Sequence, residues 1–243
     1  VARALKGCEA VMHFAGKSLV GESVEKPDLY RKVNVDGTKV LLDQMNIAGI
    51  KKIVFSSSAA TYGEPESSPV SETAQCAPTN PYGQTKLAIE RELTTVAQTQ
   101  GFAAVSLRYF NVAGADAQLR TGANLMSTQT HLINLINETA TGRRTDKFTI
   151  FGTDYDTLDG TAVRDYIHVV DLAKAHVKAM DLFENDVKEI INLGTGEGFT
   201  VKQVFTTAVN VLEQEIPYQE GDRRAGDPAI LTSDNNKAMN LLG

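Results

Sequence analysis

Three short apolar runs, at 10–15, 52–56 and 103–110, alternate with stretches whose apolar residues recur at helical spacing. This alternation constrains the chain more than any other feature. Strands that run in the same direction need a long crossover between them, and a helix supplies it, so the pattern predicts a parallel sheet built from βα units. The first intervening helix is expected over 37–48 with a leader from Pro27, setting Val40, Leu41 and Met45 on one face before Gly49 ends it. The second opens at Asn80-Pro81, a capping side chain followed by the residue best suited to the first helical position. It continues through Leu87, Ile89 and Leu93 toward Gly101. The expected fold class is α/β, with a doubly wound parallel sheet.

After Phe110 the alternation loosens. An irregular stretch at 114–126 leads to a helix toward Gly142, a strand at 148–151 and an acidic loop at 153–160. Amphipathic helices at 169–182 and 200–213 then flank a strand at 190–193. The simplest division is a nucleotide-binding sheet domain over 1–111. Residues 112–243 then form mainly a smaller α/β substrate-binding domain, with elements returning to the first sheet. At 243 residues and 42% hydrophobic the chain has enough apolar material for such cores. A net charge of -6 argues against nucleic acid or an anionic membrane as partner. No apolar run reaches spanning length. Cys8 and Cys76, with His13, His131, His168 and His176, lack the spacing of a metal site, and a reducing cytoplasm is the expected compartment.

A sheet of this kind that binds a dinucleotide begins with a strand, a glycine-rich turn and a helix N-terminus that holds the pyrophosphate. No G-x-G-x-x-G precedes a helix in this chain. The nearest imitation, Gly194-Thr195-Gly196-Glu197-Gly198, lacks the third glycine at the required spacing and reads better as a strand-to-helix turn. The expectation is that the loop lies upstream of Val1, within about two βαβ units of roughly 30 residues each. The sheet as written should then have one open flank, and the segment alone should bind a nucleotide poorly and aggregate.

Ligands of open α/β sheets bind beyond the carboxyl ends of the strands. Here those ends carry Phe14-Ala15-Gly16, Ser56-Ser57-Ser58 and Tyr109-Phe110-Asn111. Small residues at the first allow close approach to the backbone, and hydroxyls at the second can donate to a reacting oxygen, although three serines can also simply end a strand. The sharper signal is Tyr82-Gly83-Gln84-Thr85-Lys86, where spacing by four puts phenol and ammonium on one helical face. A nearby ammonium, together with the helix N-terminus, should lower the phenol pKa toward the working range of a base. Alone, such a pair is often just solvated; following a serine-tipped strand, it gains weight.

Taken together, several stretches resemble the UDP-glucose 4-epimerase family of extended short-chain dehydrogenases/reductases. They are Val11-Met12-His13-Phe14-Ala15-Gly16, Val20-Gly21-Glu22-Ser23, Asn34-Val35-Asp36-Gly37-Thr38, 55–63, 80–86, 107–114 and 159–169. Gly142-Arg143-Arg144, Ile191-Asn192-Leu193-Gly194 and Arg223-Arg224-Ala225-Gly226-Asp227-Pro228 extend the likeness over essentially the whole chain. Short-chain reductases share only the tyrosine and lysine, so the later motifs are what point to a nucleotide sugar.

The resemblance implies a Rossmann-like sheet with bound NAD and a substrate pair of UDP-galactose and UDP-glucose. It makes Tyr82 the base, Lys86 the anchor of the nicotinamide ribose, and Ser58 the partner of the sugar 4-oxygen. Phe14, Ala15, Gly16, Asn34, Ser56 and Tyr109 would line the cofactor site. Asn111, His131 and Leu132 would approach the diphosphate and uridine, Ile150 and Phe151 the base, Arg164 and Arg224 the phosphates, and Asp227 the ribose. Arginine suits phosphate because its planar fork meets two oxygens at once. A homodimer through the helices at 37–48 and 81–100 is implied as well. Leu231 stands where the family sets the space around the sugar, so an N-acetylated sugar could also fit. A dehydratase needs an added acid and base just after the strand-end hydroxyl, where Ala59-Ala60 stand here. A decarboxylase of a UDP-sugar acid and a non-catalytic nucleotide-sugar binding protein remain the other readings.

Overall fold

The computed structural model describes residues 1–122, 130–184, 187–224 and 226–243. Residues 123–126 of the irregular stretch, and Ala225 of the double-arginine run, lie outside them. The chain opens with α1 (Ala2–Leu5), β1 (Ala10–His13), α2 (Val20–Glu25) and α3 (Pro27–Tyr30). A π-helical turn at Arg31–Asp36 runs on into α4 (Gly37–Ile47), followed by β2 (Lys52–Ser58), a short 3-10 turn (Ala59–Thr61), α5 (Pro81–Gln100) and β3 (Ala103–Tyr109). Then come β4 (Asn111–Ala113), α6 (Leu132–Ala140), β5 (Phe148–Phe151), β6 (Val163–His168), α7 (Val169–Asp181) and β7 (Lys188–Leu193). The chain closes with β8 (Gly198–Thr200), α8 (Val201–Leu212), β9 (Tyr218–Gly221), β10 (Ile230–Leu231) and α9 (Asn236–Leu242).

The main sheet is parallel in the order β1-β2-β3-β7. Its strands are apolar on both faces because both faces are covered. Ile53 and Phe55 of β2 pack toward Leu42, Met45, Ile89 and Leu93 of α4 and α5, while Val54 between them packs with Leu172, Ala179 and Leu242 of α7 and α9. Each fully buried side chain of this size contributes about 1.5–3 kcal/mol. β1 and β7 are the edge strands of this sheet among the described residues.

The helix that matters most is set by its ends. Asn80 accepts the Gly83 N–H at 2.9 Å, Pro81 fills the first position, and Gly101 ends the helix in the left-handed conformation at φ 69°. Of the strands that follow β3, the pattern placed β5 and the end of β7 and missed β4, β6, β8, β9 and β10. β4, β6 and β10 form a second parallel sheet to which β8 adds antiparallel, and β5 pairs with β9. These strands are only two to six residues long, too short to show a period.

The glycine cluster at 194–198 is a turn, for a reason the sequence did not expose. Asp165, fully buried on β6, accepts the main-chain N–H groups of Thr195 (2.7 Å), Gly196 (3.0 Å) and Ser233 (3.0 Å). A carboxylate of the protein itself holds the N–H groups that a pyrophosphate would otherwise need. A side chain at Gly194 would meet Asp165 Oδ2 at 2.4 Å.

Candidate active site

The carboxyl ends of β1, β2 and β3 meet the first two turns of α5. Ser58 ends β2; its Oγ accepts the Ala60 N–H at 3.2 Å, and its hydroxyl stands near enough to the Tyr82 phenol to favour the phenolate. Lys86, buried one turn beyond Tyr82, donates its Nζ to the Ser56 carbonyl at 2.6 Å. The ammonium lies 5.6 Å from the Tyr82 ring centroid and 4.9 Å from that of Phe55. Helical spacing therefore brings tyrosine, lysine and the serine-tipped strand together.

The electrostatics differ from the expectation. Burial raises the Tyr82 phenol pKa, and the Ser58 hydrogen bond only partly pulls it back. The predicted downward shift is overturned because the phenolate would be poorly solvated here, while the lysine ammonium is engaged with a strand carbonyl. Burial lowers Lys86 itself to about 8, opposed by the charge of Glu90 one turn on.

The pKa of Tyr109, at the end of β3, is raised by burial and partly drawn back by the nearby Ser56 hydroxyl, and its own hydroxyl bonds the Nε2 of His176. The His176 Nδ1 faces the Leu172 carbonyl at 2.8 Å, so Nδ1 carries the proton and Nε2 accepts from Tyr109. Phe14 packs on the same imidazole, ring centroids 4.7 Å apart, and is 57% exposed. Ala15 and Gly16 follow as an open turn. Asn34 is buried in the π-helical turn, where the extra residue per turn aims it at that loop. Its Oδ1 accepts the Lys17 N–H at 2.8 Å, and its Nδ2 donates to the Lys17 carbonyl at 3.0 Å and to Thr85 at 3.1 Å. Asn34 thus clamps the turn after β1 to the helix that carries Tyr82.

The predicted phosphate and uridine residues lie on β4, β5, β6, the start of α6 and the segment before β10. Arg164 on β6 pairs with Asp227, and the Arg224 guanidinium lies 4.0 Å from the Phe151 ring centroid. Gly226 approaches Thr79, three residues before Tyr82, so this segment abuts the start of α5. Asn111 opens β4 opposite Tyr166 of β6. His131 is exposed at the cap of α6, and Leu132 packs against the cluster around Phe148 and Phe205. Ile150 requires correction: its side chain is 2% exposed inside that cluster, because β5 turns alternate residues inward, which leaves Phe151 as the outward neighbour.

Sequence reasoning missed four residues of the site. Ser23 accepts the Tyr82 N–H at 3.2 Å and ties the segment after β1 to α5. His176, Glu90 and Arg108 were missed as well, although a charged residue inside a central apolar strand, as Arg108 is, signals that a buried partner exists. Among the described residues no group of His, Cys, Asp and Glu is arranged to hold a metal ion, and no helix is long and apolar enough to cross a membrane.

Residues 1–194 match the NAD dependent epimerase/dehydratase family. The chain belongs to that family. It is 51% identical over 237 residues to a UDP-glucose 4-epimerase of Corynebacterium glutamicum, covering 98% of this chain and 71% of the relative. The fold superposes on a UDP-glucose-4-epimerase of Stenotrophomonas maltophila with bound NAD and formylated UDP-arabinopyranose, with a TM-score of 0.95 at 38% identity. That match covers 100% of this chain and 73% of the other. The Bifidobacterium longum UDP-glucose 4-epimerase in complex with NAD+ and UDP gives a TM-score of 0.92 at 40% identity, covering 100% and 73%.

Proposed function

We infer that this chain is an NAD-dependent UDP-glucose 4-epimerase that interconverts UDP-galactose and UDP-glucose through a 4-keto sugar. The observation that carries the reading is the meeting of Ser58, Tyr82 and Lys86 at the carboxyl edge of the sheet, in a chain of this family. An open small-residue turn stands beside them, held by Asn34, and it suits the nicotinamide end of the cofactor. No glycine loop of the chain suits the pyrophosphate, since the one imitation is filled by Asp165.

NAD, when bound beside Lys86 and the turn at Phe14 to Gly16, would supply the acceptor and donor of a hydride at sugar C4, which the reaction needs on both faces of that carbon. Tyr82 takes the 4-hydroxyl proton into its phenolate and gives it back on reduction, so the proton balance closes within each turnover. Ser58 hydrogen-bonds both the phenol and the sugar 4-oxygen, which aligns the transfer. Lys86, held against the Ser56 carbonyl beside the phenol ring, would hold the nicotinamide ribose. Arg164 and Arg224 hold the diphosphate, Asp227 the ribose, and Asn111, His131, Leu132 and Phe151 flank the uridine. A firm hold on UDP, with few contacts to the hexose, lets the keto sugar turn over. The division at residue 111 follows these roles, cofactor before it and UDP-sugar mainly after it.

Leu231 favours a second substrate. It packs with Ala59, next to Ser58, in the cluster of Tyr62, Val70 and Phe110, and its modest size leaves room for an N-acetyl group. We also propose a homodimer through α4 and α5, in part because α4 leaves Val40 and Ile47 exposed, and a cytoplasmic setting in keeping with two free cysteines. A monomeric mass by light scattering would refute the dimer. For the reaction itself, the complete protein with NAD should convert UDP-galactose into UDP-glucose and show NADH-like absorbance during turnover. Tight UDP binding with neither signal would identify a binding protein instead.

A further inference from the structure

Beneath the catalytic pair lies a buried ion pair that proton transfer does not use. Tyr82, Lys86 and Glu90 follow at intervals of four along one face of α5. The Glu90 carboxylate is 4% exposed and fully engaged. Its Oε1 accepts from Ser57 Oγ at 2.5 Å and Arg108 Nε at 2.9 Å, and its Oε2 accepts from Arg108 Nη2 at 2.7 Å. The Arg108 guanidinium lies 4.6 Å from the Tyr62 ring centroid, and the Tyr62 hydroxyl donates to Asn192 Oδ1 on β7 at 2.7 Å. One carboxylate thereby links the helix of Tyr82 to three strands of the sheet.

Stability does not explain such a pair. Exchanging a buried ion pair for well-packed apolar groups is often neutral or favourable, and Arg108 Nη1 is buried here without a partner, an added cost. Its location is more telling. Ser57, which Glu90 holds, stands between Ser56, whose carbonyl receives Lys86, and Ser58, whose hydroxyl stands near the Tyr82 phenol.

We propose that Glu90, paired with Arg108, is a positioning residue for the reaction: it fixes the serine-tipped strand against Tyr82 and Lys86 and sets a carboxylate one helical turn from the Lys86 ammonium. This deepens the epimerase reading and rests on it. The titratable groups around Lys86 are Tyr82 and Glu90 on its own helix, His13 on β1, and Arg108 and Tyr109 on β3, with His176 of α7 behind Tyr109. From β2 it meets the Ser56 carbonyl and the Phe55 ring. His13 is pushed down to about 4 by burial and by Lys86, and burial lowers His176, so both rings are neutral. Glu90 is the anion of this set, and it opposes the fall of Lys86 that burial causes.

The test follows the pH dependence of kcat for UDP-galactose in the complete NAD-loaded protein. Beside it runs a magnetic-resonance titration of the Lys86 side chain in lysine-labelled protein, assigned with Lys86→Arg. Glu90→Gln should lower the Lys86 midpoint and the alkaline limb of kcat together by about one pH unit. Arg108→Gln should move both upward, and the double variant, neutral at both positions, should return them toward wild type. Glu90→Asp restores the charge but not the reach to Ser57, so its midpoint should recover while kcat stays depressed. If the Lys86 midpoint is unchanged in Glu90→Gln, or moves the same way in both single variants, the proposal is overturned. Absent turnover in the wild type would sink the epimerase reading, while the Lys86 titration would still judge Glu90.

Discussion

Replacing Gly83 by alanine adds one methyl group where the first turn of α5 lies against the main chain of Ala60. Gly83 is helical, and alanine is intrinsically better in a helix by about 1 kcal/mol, so any loss must come from lack of space. The new Cβ would stand 2.4 Å from the Ala60 carbonyl oxygen and 3.0 Å from both the Ala60 carbonyl carbon and Pro78 Cβ. Ordinary contact begins at 3.4 Å, so helix and turn must part by 3.4 minus 2.4, or 1.0 Å. Neither side is a flexible side chain that can swing away. Ala60 N–H is bonded to Ser58 Oγ, and Gly83 is the residue after Tyr82, so the displacement falls between the strand-end serine and the phenol. A misplacement of about 1 Å is worth about a hundredfold in rate. Overpacking of this kind costs about 1–3 kcal/mol in stability, part of it offset by propensity. Steady-state turnover of UDP-galactose should show kcat reduced about a hundredfold. UDP binding by calorimetry should persist, because Arg164 lies on β6, away from the Gly83 contact with Ala60. Wild-type kcat with wild-type Tm would refute the reasoning, since it would mean that the two backbones are not in contact.

Two further outcomes follow from buried groups. His13 has a folded pKa of about 4 against 6.5 when free, so the unfolded chain binds a proton that the native state refuses. The stability present above pH 6.5 should therefore fall as pH drops toward 4, by up to about 3 kcal/mol, and His13→Gln should flatten that part of a urea-unfolding pH series; an unchanged slope would contradict the assignment. Asp165→Asn replaces one acceptor oxygen with a donor facing the N–H groups of Thr195, Gly196 and Ser233. A cost of about 3 kcal/mol is expected, read as a drop in Tm of about 6–12 °C, and an unaltered Tm would show that the turn does not depend on the carboxylate.

The parts of this molecule that could be read in advance are those whose signals are local. α5 was legible to within a residue because a capping asparagine, a proline and a terminal glycine punctuate it, and β2 and β3 because a sheet covered on both faces demands continuous apolar runs. Apart from β5 and the end of β7, the strands after β3 were not legible, since β4, β8 and β10 owe their existence to pairing with β6, which no short window displays. In the site, spacing placed Tyr82 and Lys86 on one face, and the folded chain keeps them there. The direction of the phenol's shift came out opposite to expectation because desolvation is a property of the surroundings and leaves no mark on spacing. Glu90 and Arg108 escaped notice for a related reason. A glutamate on a helix reads as solvated until the strand residue 18 positions later is found to bury it.

The central claim is that a phenol, set beside a strand-end serine and a lysine one turn away, moves the 4-hydroxyl proton. It is tested most directly by Tyr82→Phe in the complete NAD-loaded protein, measuring conversion of UDP-galactose alongside UDP affinity. The account predicts that conversion disappears while UDP binds as in the wild type. Epimerisation at the wild-type rate would contradict it.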